Sequence, residues 1–246
     1  MNKDKKQKIL WSIALAFVLF LIIMYVSGWR ITSEVGIGKT GTLVINTPYI
    51  GTDVYINDDQ KITTIVENES IEKKVSPKTH KIIVALKEFY PWTKDIVMPS
   101  KGLVTLNPMF VPQNPSGYII GETDKDYRAI KKSILENKLP DENTPKVHKT
   151  EDVKIFVKDN TIFAVKNGET LEVLKSEVKI KNLDFYKNRT DVVMFSAGGA
   201  IYAIEVSKVG TQNFMPIYKG KDPFFVVETE KTIYIDDNQM LMQVAI

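Results

Sequence analysis

The chain has no cysteine among its 246 residues. That excludes disulfide staples, thiolate metal sites and a cysteine nucleophile, so an exported domain of this sequence must fold on buried apolar area alone. Histidine is almost as scarce: His80 and His148 are the only two, 68 residues apart. Zinc binding or histidine catalysis generally needs clustered ligands at suitable spacing, and neither residue has a nearby acidic partner in sequence that suggests a dyad. No Gly-x-Ser-x-Gly elbow presents a serine nucleophile. A charge excess is missing too. There are 33 Lys+Arg and 30 Asp+Glu, and the first eight residues hold Lys3, Lys5, Lys6 and Lys8 against Asp4. Removing those five leaves 29 of each sign, a formally neutral remainder without the basic stripe that nucleic acid demands. The expectation is no enzyme, no cofactor, no metal and no nucleic-acid partner.

Only one long apolar run is present, Ile9 to Val26, "ILWSIALAFVLFLIIMYV", and it carries no charge. About eighteen residues at ~1.5 Å each reach roughly 27 Å, close to the ~30 Å hydrocarbon core of a bilayer. The four lysines before it outweigh Arg30 and Lys39 behind it, which predicts a cytoplasmic N-terminus and residues 30–246 on the outer side. Trp11, Tyr25 and Trp29 stand near the two ends, where amphipathic rings favour the headgroup layer. Lys3, Lys5, Lys6, Lys8 and Arg30 complete the set expected to position the chain in lipid. A cleaved signal peptide is the rival reading, with Val26-Ser27-Gly28 as a small-residue site, but this run exceeds the usual 7–15-residue h-region. A core helix is the third, and the lack of a polar face argues against it. The boundaries read as a tail at 1–8, a transmembrane helix at 9–26 and a linker at 27–40.

Residues 41–112 alternate short β-branched segments, "GTLVIN", "DVYIN", "HKIIVAL", "KDIVMP" and "GLVTLNP", with turn material such as Ser76-Pro77 and Pro99-Ser100-Lys101-Gly102. That pattern predicts a small antiparallel sandwich. The stretch "GTLVINTPYIGTDVYINDD", then "KVSPKTHKIIVALKEFYPWTKDIVMPSKGLVTLNPMFVP", resembles a PEGA domain. Gly41, Leu43, Val44, Pro48, Gly51, Val54, Tyr55, Ile56, His80, Tyr90 and Pro112 fit the family's frame of strands and turns, with "PYIGT" at the namesake turn. The resemblance implies a β-sandwich module of prokaryotic envelope proteins, often anchored, with no shared active site.

Residues 113–150 read as a linker with one helix at about 125–138, Asp124 as N-cap, and Ile130 and Ile134 on one face. Residues 151–246 return to strands with a repeat. Ile162-Phe163, Ile201-Tyr202 and Ile233-Tyr234 each follow a small or polar turn, at spacings of 39 and 32 residues. That is the scale of a four-stranded propeller blade. This half resembles, more loosely, the propeller-like regions of PEGA-containing proteins. The fold class expected is mainly β: a transmembrane helix, a PEGA-like antiparallel β-sandwich, a short helix and a C-terminal β domain of blade-like hairpins.

Three motifs invite chemistry. "GIGKTGT", Gly36 to Thr42, has Ser33 where a phosphate-binding loop needs its first glycine, and a strand pattern follows instead of a helix. Asn57–Asp59 and Asp236–Asn238 group their acids consecutively, as hairpin turns do, and not at the spacing of a calcium cage. "EFYPW" offers Phe89, Tyr90 and Trp92 as rings that stack on sugars or fill a partner's pocket; the alternative is that they cap the sandwich core. The partners expected are membrane lipid and a cell-wall polymer, surface-layer or envelope protein. The function expected is a binding or structural protein on the outer face of the cytoplasmic membrane. The alternatives are a carbohydrate-active envelope enzyme, or an accessory subunit of a secretion or pilus-like assembly.

Overall fold

The computed structural model describes residues 3–27, 29–32, 36–57 and 60–246, with side chains 3–6, 30–37 and 60 outside the description. The chain is mainly β, with an apolar N-terminal helix. It divides into two compact units, Met1–Ile82 with Asp95–Pro108, and Ile83–Lys94 with Met109–Ile246.

The first unit opens with helix α1, Lys3–Val26. No glycine or proline interrupts it, and Gln7–Val26 is 20 residues, long and apolar enough to cross a membrane, with none of it buried. Its one mid-helix hydroxyl is satisfied internally, Ser12 Oγ donating to Lys8 O at 3.0 Å. Residues 27–40 are not a plain linker. Strand β1 (Trp29–Thr32) pairs antiparallel with β2 (Gly36–Lys39), Ile31 opposite Ile37. Four-residue strands, the second of them holding two glycines, are too short for their alternation to show in sequence, yet pairing gives their peptides partners. Gly36–Lys39 being a strand also removes the phosphate-loop geometry, since no helix follows it.

Seven strands follow: β3 (Gly41–Thr47), β4 (Asp53–Ile56), β5 (Gln60–Thr63), β6 (Glu69–Val75), β7 (Thr79–Ala85), β8 (Trp92–Val97) and β9 (Leu103–Leu106). They form two sheets, ordered β6-β3-β9 and β5-β4-β7-β8. Alternation does the sorting. Along β3 every second residue is buried, Leu43 and Ile45 among them, and Val54, Ile56, Ile71, Val75, Ile82, Ile96, Met98 and Leu106 are buried with them. The all-antiparallel expectation needs one correction: β9 runs parallel to β3, Thr42 opposite Leu103. Parallel pairing needs a long crossover, and five strands intervene between the two partners, so it leaves no short-range signature. Gly41 is required by close approach. A Cβ there would lie 2.5 Å from Met98 Sδ and 2.6 Å from Pro99 O. Gly41→Ala should therefore destabilise this unit by about 1–3 kcal/mol in a urea titration, the range for overpacking.

In the second unit the region 113–150 is not a linker. It supplies β10 (Gly117–Ile119), α2 (Tyr127–Glu136) and β11 (Lys146–Val147). β10 pairs with β21, more than a hundred residues further on, and β11 is a two-residue edge to β12, so neither strand shows in its local composition. Helix α2 is shorter than the expected 125–138. Asp126 holds the N-cap position without a side-chain bond, and Asp124 Oδ2 instead accepts from Gly121 N at 2.7 Å. Ile134 of α2 is buried with Ile120 and Leu241, and Ile130 packs beside them.

Ten strands complete the unit: β12 (Val153–Lys158), β13 (Thr161–Lys166), β14 (Glu169–Lys175), β15 (Ile180–Phe185), β16 (Val192–Ala197), β17 (Ala200–Glu205), β18 (Phe214–Lys219), β19 (Pro223–Val227), β20 (Thr232–Asp237) and β21 (Met240–Ala245). They make three four-stranded sheets, β11-β12-β13-β14, β15-β16-β17-β18 and β10-β21-β20-β19, with every pair of known register antiparallel. Two-residue turns with both φ values positive close three hairpins, at Asp159-Asn160, Asn167-Gly168 and Asn238-Gln239. Such turns match the strand twist and favour Asn, Asp and Gly. Ile162, Ile201 and Ile233 are each the second residue of an inner strand, and each is fully buried. The third sheet departs from the repeat: its fourth strand is β10, from far upstream, paired to β21.

Candidate functional site

The tip of the β7–β8 hairpin carries "EFYPW" and belongs to the second unit. Glu88 turns the chain with φ 70°. The tip is then zipped onto the segment after β9: Phe89 bridges Pro112, Tyr90 N donates to Val111 O at 2.9 Å, and Gln113 N donates to Glu88 O at 2.9 Å. Phe89 meets Phe110 edge-on at 6.0 Å. Tyr186 Oη donates to Phe110 O at 2.8 Å.

The three rings separate. Trp92 is 2% exposed and is no surface contact, which corrects that part of the sequence expectation. Its indole Nε1 donates to Glu205 Oε1 at 2.7 Å. Lys94 Nζ lies 2.7 Å from Glu205 Oε2, with both side chains about nine-tenths buried. Asn213 adds two more donors to Oε2, from its backbone N and from Nδ2, at 3.1 Å each. The Asn213 amide also bonds both ways to the Thr93 backbone, at 3.0 and 2.8 Å. Glu205 thus holds one indole, one ammonium and two amide donors. A carboxylate so filled has no lone pair facing substrate, and its role is to lock the hairpin to β17.

Phe89 and Tyr90 are half-buried. Tyr90 lines an open groove of about 400 Å³, whose other walls are the Gln113–Pro115 loop and residues 216–219 of β18. Tyr218 stands in it with Oη donating to Asp237 Oδ2 at 2.9 Å. Burial first, then this bond and the neighbouring charge, push the Tyr218 phenol up to about 12. It stays protonated and donating throughout the physiological range. Asp237 is held in turn by Lys221 N at 3.0 Å and Asp222 N at 2.7 Å. No carboxylate lines this groove. A smaller hollow, about 270 Å³ beneath α2, does carry two, Asp222 and Asp236. Each is already paired, Asp222 with Lys181 and Asp236 with Lys131.

The remaining sequence candidates fall into structural roles. His80 is fully buried, its Nε2 2.7 Å from Ser76 O and its Nδ1 2.8 Å from Asn57 Nδ2, partners that place the proton on Nε2. His148 Nδ1 accepts from Thr150 N and Glu151 N at 3.3 and 3.2 Å, capping a turn. Asp237 anchors the 220–222 turn, and Asn238 with Gln239 forms a hairpin tip; Asp58 and Asp59 lie outside the described residues. Among the described residues no three His, Asp or Glu are grouped to hold a metal. Lys8, Trp11, Tyr25 and Trp29 are exposed on or beside α1, while the side chains of Lys3, Lys5, Lys6 and Arg30 lie outside the described set. Lys187, half-buried over the Tyr186 ring at 5.4 Å, is lowered to about 8, chiefly by burial and then by Arg189 and Lys231.

Sequence reasoning missed Glu205, Asn213 and Tyr218. A signal did exist for the first: an acid closing the apolar run "AIYAIEV" sits where β17 faces the core.

No family model matches the chain, and no curated protein matches it. Among solved structures, a membrane-associated protein of unknown function from Bacteroides fragilis is similar to it at 11% identity, with a TM-score of 0.24, covering 84% of this chain and 94% of that one. At that level of superposition the likeness carries no argument about fold or function.

Proposed function

We propose that this chain is a membrane-anchored binding or structural protein of the prokaryotic cell envelope. In this reading α1 crosses the cytoplasmic membrane once, residues 1–8 stay inside, and the β modules are displayed outside. Residues 41–112 serve as a PEGA-like display module, and the three-sheet unit that includes the "EFYPW" tip presents the open groove. The observation that carries the reading is the helix itself: a 20-residue, strongly apolar segment, Gln7–Val26, with none of it buried. A water-soluble fold would bury such a surface, because it is far larger than the apolar patches soluble monomers tolerate. The work of the anchor is to confine a weak surface near its partner and raise the effective concentration. Binding is favoured over hydrolysis because two-carboxylate chemistry needs a facing pair of acids in a cleft. The larger groove has none, and the acids of the smaller hollow are held by lysines.

The full chain, expressed in a bacterial host, should remain in the membrane pellet after carbonate washing, with its N-terminus at or near Met1. Release into the supernatant, or a mature chain beginning at Trp29, would remove the anchor from the account.

A further inference from the structure

Resting on the reading of an envelope binding protein, we infer that the groove between Tyr90, the Gln113–Pro115 loop and β18 is a saccharide site, taking a chain of uncharged pyranoses by ring stacking and amide hydrogen bonds. A pyranose presents an apolar C–H face and an equatorial belt of hydroxyls. The groove matches both, with two phenol rings and two primary amides, Gln113 and Asn114, among its walls. An amide both donates and accepts, which suits a hydroxyl that does the same. Its ~400 Å³ falls within the range of small-ligand sites.

The site is built in advance. Tyr218 is pinned by its bond to Asp237, which two backbone amides hold in place. Tyr90 is fixed through its backbone bond to Val111, and Gln113 Nε2 is oriented by Phe89 O at 3.0 Å. Groups already ordered lose little freedom on binding, so a shallow site can still hold a ligand. Behind Tyr90 the Glu205 cluster grips Trp92 and Lys94, so the tip that carries the ring is itself rigid.

The main competitor is a peptide adding as a strand along β18, the edge of its sheet. Pro216 sits in the middle of that strand and offers no N–H, and the register shifts opposite it at Ile201/Tyr202. Both features blunt an edge against strand addition. The lining also lacks the acid that a basic peptide would seek and carries Lys219 instead.

The test uses the full chain in lipid nanodiscs, titrated calorimetrically with the hexamer of β-1,4-linked N-acetylglucosamine. Binding at about millimolar Kd or tighter is expected. Tyr90→Ala and Tyr218→Ala should each weaken it about tenfold or more, while Tyr218→Phe, which keeps the ring, should stay within about threefold. Tyr218→Leu, which keeps more of the apolar bulk than Ala but not the ring, should weaken binding as Tyr218→Ala does and guards against a variant that fails to fold. Silence of the parent chain toward the hexamer overturns the inference, as does equal binding by the Ala variants. So does a proline decamer bound by the parent and lost in Tyr218→Ala while the hexamer is ignored. Sedimentation with isolated cell-wall sacculi separates the two readings. Sacculi that retain a Tyr90→Ala/Tyr218→Ala double variant as well as the parent sink the groove and leave the envelope role standing.

Discussion

Glu205→Ala is expected to cost the second unit about 3–5 kcal/mol, the range for breaking a buried pair by removing one partner. The change leaves the Lys94 ammonium, the Trp92 indole N–H and two Asn213 donors facing a cavity. Trp92 reports the loss directly. In a chain with Trp11 and Trp29 replaced by Phe, its fluorescence midpoint in urea should fall sharply. The compensating variant carries the stronger lesson. Adding Lys94→Met to Glu205→Leu should recover the part of the loss that comes from the unpaired ammonium, because well-packed apolar residues often match a buried pair in stability, while the Trp92 and Asn213 donors stay without Glu205. A midpoint for Glu205→Ala within about 1 kcal/mol of the parent would mean that the cluster is open to water and does not hold the hairpin.

Ile201→Asp should be the more severe change. Ile201 is fully buried on β17, between Ser196 of β16 and Tyr218 of β18. Losing the aliphatic side chain alone costs about 2–5 kcal/mol. The carboxylate adds the desolvation penalty of a buried charge. The total rivals a typical domain stability of about 5–15 kcal/mol, so the variant should fail to accumulate as folded protein. Ile162→Asp and Ile233→Asp occupy equivalent strand positions and should behave alike. Lys221→Ser is the contrast. Its side chain is exposed and only its backbone N serves Asp237, so its melting should shift by no more than about 0.5 kcal/mol. Normal melting of Ile201→Asp would make the Ile-aromatic repeat an accident of sequence.

What could be read before the structure follows from the range of each interaction. The apolar helix and the buried Ile162, Ile201 and Ile233 are local patterns, and they lie where their periodicity puts them. The Asp159-Asn160 and Asn167-Gly168 turns are local too, because both central residues must tolerate positive φ. The features that escaped are non-local. The partners of β10 and β9 lie more than fifty residues away, so "GYI" and "LVTL" carry no clue to them. The Glu205 cluster joins residues more than a hundred positions apart, and nothing near Trp92 in sequence names its acceptor. Tyr218 carries no local signal that sets it apart from other strand rings; only the loop folded opposite makes it a groove wall. "EFYPW" was legible as a feature but not as a division of labour, in which Trp92 anchors and Tyr90 faces outward.

The absence of native cysteine makes orientation the most direct test of the account. Single-cysteine variants Lys8→Cys and Lys221→Cys, treated in intact cells with a membrane-impermeant maleimide, report the side on which each position lies. The account predicts labelling at position 221 before permeabilisation and at position 8 only after it. Labelling at position 8 in intact cells, with position 221 protected, would contradict it.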